Sequence, residues 1–108
     1  RAKLATITDQ GRAKRTDLEE MPRQRQGGKG VTIAKLRRGE RLMGLGMVLT
    51  ASYFIPITQH GAAKTTTGRS IKKQGRATQG VAIIALRGRD AVAGIIVPRE
   101  RIINEGST

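Results

Sequence analysis

Short aliphatic and β-branched runs, broken by polar segments that contain glycine, recur along the chain. "KLATIT" is followed by Asp9-Gln10-Gly11 and "RAKRT", and "YFIPIT" by Gln59-His60-Gly61 and "AAKTTT". Two such runs flanking a glycine turn predict a β-hairpin. "GVTIAKLRRGERLMGLGMV" and "GVAIIALRGRDAVAGIIV" each pair two further runs across a charged turn, which predicts a second hairpin in each half. Only "DLEEMPRQ" reads as a helical turn, and a short one. Pro56 falls inside a strand run and brings no N–H to a ladder, so an edge position or a bulge is expected there.

The two halves are copies of one unit. Displaced by about 50 positions, Ile7-Thr8 meets Ile57-Thr58, Gly11 meets Gly61, and Ala13-Lys14 meets Ala63-Lys64. The register holds through Gln24 and Gln74, Gly30-Val31 and Gly80-Val81, Leu36-Arg37 and Leu86-Arg87, and Gly44 and Gly94. Four strands at this interval are the period of propeller blades. The expected fold is therefore all-β and propeller-like, with one four-stranded repeat in residues 1–50 and a second in 51–108 that includes the start of a following segment. Two blades do not close a ring of the usual size of about four to eight. Further blades outside this chain, assembly of several copies, and face-to-face packing of the two blades all remain open.

Charge narrows the partner class. Lys and Arg outnumber Asp and Glu by 21 to 8, a formal charge of +13, which repels itself and attracts polyanions, nucleic acid first among them. No stretch approaches the roughly 18 apolar residues of a membrane span and no secretory pattern opens the chain, so a soluble, intracellular protein without a membrane partner is expected. Without cysteine there are neither disulfides nor thiolate metal sites. Arg1 in place of Met points to a piece of a longer protein.

The densest candidate site is "QRQGGKG", residues 24–30, where three glycines accompany Arg25 and Lys29. A nucleotide P-loop needs G-x-x-x-x-G-K-[ST] between strand and helix, whereas Lys29 is followed by Gly30 and a predicted strand. The glycines either permit positive φ in a long crossing or bring backbone N–H groups, Arg25 and Lys29 close to a phosphate backbone. "KKQGRATQG" repeats the theme with Lys72, Lys73 and Arg76. Arg12, Lys14 and Arg15 add cations at a hairpin turn, and Lys35, Arg37, Arg38, Arg41, Lys64, Arg87 and Arg89 lie at further turns and strand ends. Tyr53 and Phe54 are the only aromatic residues, too few to stack successive bases, which disfavours single-strand binding. His60 stands alone in a turn, so no metal or other cofactor is expected. Glu40 and Asp90 match in position and are expected to close the charged turns against neighbouring arginines.

"QRQGGKG" resembles the glycine-rich box of the DNA gyrase A C-terminal domain, Q-R-R-G-G-K-G, in six of seven positions, with Gln26 replacing an arginine. The surrounding "GRAKRTDLEEMPRQRQGGKGV", the G-[DE]-R-L turn and "GRATQGVAIIAL" are similar to blades of that family and of its topoisomerase IV relative. The resemblance implies a β-pinwheel, whose blades exchange strands and whose basic rim bends duplex DNA. It implies that Gln24, Arg25, Gln26, Gly27, Gly28, Lys29 and Gly30 form the box. On charge and position, Arg12, Lys14, Arg15, Lys72, Lys73 and Arg76 are expected to join it at the DNA. The resemblance further implies a chain that wraps DNA without cutting it, in support of negative supercoiling by an ATP-dependent type IIA topoisomerase in the cytoplasm, at the nucleoid. The implied partners are double-stranded DNA, remaining blades or further copies of the chain, and the topoisomerase cleavage core with its ATPase partner. Two other readings compete: a structural basic RNA-binding protein of ribosomal type, and a self-assembling blade scaffold.

Overall fold

The computed structural model describes residues 2–20, 33–49 and 51–97. Seven strands carry the fold: β1 (Lys3–Thr8), β2 (Arg12–Thr16), β3 (Leu42–Val48), β4 (Tyr53–Thr58), β5 (Thr66–Thr67), β6 (Val81–Ala82) and β7 (Val92–Ile96). The helical content among the described residues is two single 3₁₀ turns, Leu18–Glu20 and Gly68–Ser70. Three pairs of elements recur at the interval of the repeat. β4 starts 50 positions after β1, the second 3₁₀ turn 50 after the first, and β7 50 after β3.

The first strand of each unit ends in a tight turn whose glycine N–H reaches back to a threonine carbonyl, Gly11 to Thr8 at 3.0 Å and Gly61 to Thr58 at 3.1 Å. Both glycines have positive φ, +83° and +91°, a region that side-chain-bearing residues rarely occupy. The first turn folds β2 back antiparallel on β1, from Leu4↔Thr16 to Ile7↔Ala13.

The second hairpin of each unit does not form locally. β3 lies along the other side of β1, from Lys3↔Val48 to Thr8↔Leu42, and residues 33–36 form no strand. The outer edge of β2 is covered instead by β6 from the second half, with Arg12 opposite Ala82 and Ala13 opposite Val81. The first sheet therefore runs β3-β1-β2-β6, with a strand exchanged between repeats, and the second runs β5-β4-β7. Gly80 makes the exchange possible: it has φ +84°, and a Cβ there would stand 2.8 Å from the Ala13 carbonyl oxygen.

Pro56 sits in β4, the central strand of its sheet, opposite Ile95 of β7. Its carbonyl accepts from the Lys64 N–H at 3.4 Å, so its N–H-less nitrogen faces the β5 side. There the ladder is interrupted: β5 has two residues, whereas β2 pairs beside Thr6, the equivalent of Pro56, without a break. A shortened neighbour, rather than an edge position, accommodates the proline, and the β4–β7 ladder shifts register close by, between Ile57 and Thr58.

The core is aliphatic apart from one ring. Ala5, Ile7, Ala13, Val48, Phe54, Ile71 and Val92 are buried, and Met43, Ile83, Ile84, Leu86 and Ile95 pack against them. The two units meet where Ile95 lies over Gly44, 3.0 Å from where a Cβ would stand, and where the Val92 N–H donates to the Asp9 carbonyl at 2.8 Å.

A polar clasp recurs in both units. Thr8 Oγ1 accepts from the Arg12 N–H at 3.2 Å and donates to Glu40 Oε2 at 2.6 Å, and Glu40 Oε1 accepts from the Arg37 N–H at 2.7 Å. Thr58 Oγ1 accepts from the Ala62 N–H at 3.0 Å and is hydrogen-bonded to Asp90, which also accepts from the His60 and Ala91 N–H groups. Glu40 and Asp90 thus bind a hydroxyl and backbone donors, not arginine side chains as expected. Glu40 is 5% exposed, and fixed short donors satisfy a buried carboxylate with less ordering of long side chains.

Gly61→Ala is expected to cost about 1–2 kcal/mol for its positive φ, because open space surrounds the added methyl group. Gly80→Ala carries the same backbone cost and drives the methyl into the Ala13 backbone, so thermal denaturation is expected to show the larger loss for Gly80→Ala.

Candidate nucleic-acid interface

The segment that leads into β6 crosses the first unit before it pairs. Ile71 is fully buried at the start of the crossing. Arg15 bridges to Lys73 in parallel orientation, its N–H donating to Lys72 O at 2.9 Å and its carbonyl accepting from the Gln74 N–H at 2.8 Å. Its Nε donates to Ile71 O at 2.7 Å. Residues 74–80 then loop out and return, closed by the Gly80 N–H on Gln74 Oε1 at 3.0 Å. Arg12 reaches the end of this loop, with Nη1 3.5 Å from Gly80 O.

The cations that the sequence divides between two repeats are therefore brought to one seam: Arg12 and Arg15 on β2, and Lys72, Lys73 and Arg76 on the crossing segment. Lys72 is exposed, and Lys73 keeps about half of its side chain in solvent, 55%. Residues 24–30, the whole glycine-rich box with Arg25 and Lys29, lie outside the described residues.

Lys14 departs from the expectation. It is 1% exposed, and its Nζ donates to Gly75 O at 2.8 Å, Arg76 O at 2.6 Å and Thr78 Oγ1 at 3.1 Å. All three ammonium protons are engaged inside the protein, so Lys14 is not a phosphate contact. Burial pulls its pKa below the ordinary lysine value, with Glu20 opposing and Arg76 adding to the lowering.

Asp17, which no sequence motif singles out, organises the near end of the seam. Its carboxylate receives Lys3 Nζ on one oxygen and Lys73 Nζ on the other, each at 2.8 Å. The hydrogen bonds from Lys3 and Lys73 hold Asp17 at about 2, against the ordinary carboxylate range. Glu20 also joins the two halves, its Oε1 accepting from the Arg76 N–H at 3.0 Å. A sequence signal exists in hindsight, since both acids stand at the one helical turn that follows β2.

His60 lies in the second tight turn with its side chain 64% exposed. No group of three or more potential metal ligands occurs among the described residues. No helix among them is long and apolar enough to cross a membrane.

The family model described as the DNA gyrase C-terminal domain, beta-propeller, matches twice, over residues 2–48 and 53–99. The chain belongs to the DNA gyrase C-terminal domain family. Its relatives include the DNA gyrase A subunit of Mycobacterium tuberculosis, 40% identical over 93 residues, covering 85% of this chain and 11% of that protein. The A subunit of the Kosmotoga olearia gyrase is 36% identical over 95 residues, covering 87% of this chain and 12% of the relative. The chain thus spans about a tenth of the length of the curated relatives it matches. Two solved structures share the fold. A DNA gyrase A C-terminal domain superposes with a TM-score of 0.78 at 17% identity, over 86% of this chain and 32% of that one. A topoisomerase IV C-terminal domain gives 0.79 at 16% identity, over 88% of this chain and 30% of that one. The family model thus matches once in each half of the chain, and the cationic seam lies where the two matched segments join.

The Asp17 pKa sets a pH dependence. A carboxylate whose folded pKa is depressed contributes stability above its unfolded value near 4, and that contribution is lost as pH falls toward 2. Thermal midpoints measured between pH 5 and 2 are expected to fall more steeply for the wild type than for Asp17→Asn. Parallel curves for the two would contradict the Lys3–Asp17–Lys73 bridge.

Proposed function

We propose that this chain binds and wraps duplex DNA, as part of a protein like the DNA gyrase A subunit in which wrapping supports negative supercoiling. The observation that supports it most is the convergence of Arg12, Arg15, Lys72, Lys73 and Arg76 at the junction of two gyrase-family units in a chain of charge +13. Guanidinium and ammonium groups on a rigid strand seam hold phosphates in place without reading bases. With Tyr53 and Phe54 in β4, and Phe54 1% exposed, successive bases of a single strand have no stacking surface, which favours the duplex. Strand cleavage belongs, in this reading, to the rest of the topoisomerase. The parent protein, which works in the cytoplasm at the nucleoid, joins this chain to the cleavage core and its ATPase partner. Residues 24–30 serve as the box that directs the DNA path.

Binding is expected to weaken steeply with salt, by a slope of about −0.9 in log K against log salt per neutralised phosphate, and to tolerate changes of sequence. Fluorescence anisotropy with a labelled duplex measures this. A flat salt response, or a preference for single strands or RNA, would overturn the reading. Arg25→Ala with Lys29→Ala is expected to reduce trapped supercoils in a plasmid relaxation assay by more than it reduces affinity. An Ala pair at Arg87 and Arg89 serves as the control for generic charge. Equal losses from the two pairs would show that the box has no special part in wrapping.

A further inference from the structure

The loop over the buried Lys14 ammonium is held from within. Gly75 and Arg76 turn successive carbonyls toward Nζ, and Thr78 Oγ1, itself donating to Gly75 O at 2.7 Å, completes the set. In a trans peptide the N–H points opposite to the carbonyl. The rule is visible in the Gly75–Arg76 peptide, whose carbonyl faces Lys14 while its N–H meets Glu20 on the other side. Glu20 comes close because residue 75 has no side chain: its Oε1 is 3.3 Å from where a Cβ would stand. In the next peptide the Arg76 carbonyl faces Lys14, so the Ala77 N–H faces away from it, on an exposed residue.

The repeat supplies a comparison within the same molecule. Lys64 is the counterpart of Lys14, but no crossing loop lies over it among the described residues. Lys64 is exposed, with Nζ on Ile83 O at 2.8 Å. The lysine is buried where the loop of the other unit covers it.

We propose that Lys14 is a positioning residue for nucleic-acid binding: through Gly75 O, Arg76 O and Thr78 Oγ1 it fixes the 74–80 loop so that Arg76 and the Ala77 N–H meet one phosphate backbone together. The inference rests on the duplex-binding reading above. Lys14 touches no DNA. It acts through the loop, and its effect on binding therefore depends on Arg76.

A double-mutant cycle tests this directly. Lys14→Met keeps an unbranched side chain as far as Cε and removes the ammonium, and Arg76→Ala removes the proposed phosphate contact. Duplex affinity is measured by anisotropy over a range of salt for the wild type, both single variants and the pair. Lys14→Met alone is expected to weaken binding by about five- to tenfold and to make the salt slope about one unit shallower, the loss of roughly one phosphate contact. In the Arg76→Ala background the same change is expected to cost less than about twofold, because residues that act as one unit are not additive. Equal losses in both backgrounds, or no loss from Lys14→Met, would overturn the inference while leaving duplex binding intact. Absence of salt-dependent duplex binding by the wild type would instead overturn the functional reading itself. If circular dichroism shows Lys14→Met to be unfolded, Thr78→Val removes one of the three acceptors at constant shape and enters the same cycle. A two- to threefold loss that disappears in the Arg76→Ala background is then expected, and an additive loss overturns the inference.

Discussion

An open strand edge presents a row of N–H and C=O groups that need partners, and the outer edge of β2 finds them in the other half of the chain. Ile71 anchors the incoming segment in the core, Arg15 brackets it through Lys72 O and the Gln74 N–H, and Gly80 lets it close on Ala13. The grouping of the described cations follows from this crossing. It buries Lys14, places Lys73 on Asp17, and sets the crossing segment's cations beside Arg12 and Arg15. Had each unit closed its own sheet, those cations would belong to two separate surfaces.

The same arrangement reconciles a strongly basic chain with a stable fold. Like charges gathered at one seam repel, and two acids offset them locally: Asp17 between Lys3 and Lys73, and Glu20 on the Arg76 backbone. Asp17 lies just before the turn that follows β2 and acts at the near end of the seam, whereas Glu20, in that turn, reaches the Gly75–Arg76 peptide of the loop. The Thr8–Glu40 and Thr58–Asp90 clasps carry no such duty. They bind the tight turn of each unit to its charged turn and are buried or nearly so, which rigidifies the ends of the sheets independently of the cations.

Much of this is legible in the sequence and some is not, for identifiable reasons. The repeat, the tight turns at Gly11 and Gly61, the aliphatic core and the all-β class follow from local pattern, because turn chemistry and apolar runs are local properties. The exchange of β6 does not follow, since "GVAIIALRGRDAVAGIIV" suits a local hairpin as well as it suits a strand handed to the neighbouring unit. Lys14 reads as a surface cation because alternation sets it on the face opposite Ala13, which faces the core. That opposite face is roofed by a loop more than 60 residues away in sequence, bonded at 2.8 and 2.6 Å, and no local pattern reveals it. Glu40 and Asp90 stand out as a matched pair, whereas their threonine partners do not, although Thr8 and Thr58 carry the same repeat signal.

The crossing segment is an integral part of the first unit. Native-state amide exchange resolved by residue tests it most directly. The Arg15, Gln74 and Ile83 N–H groups, whose acceptors are Lys72, Arg15 and Gly11 in the opposite half, are predicted to exchange as slowly as the amides of the β1–β3 ladder and to open together with them. Rapid exchange at Arg15, Gln74 and Ile83 while the β1–β3 amides stay protected would show that the two halves fold separately and that the crossing segment is not part of the first unit.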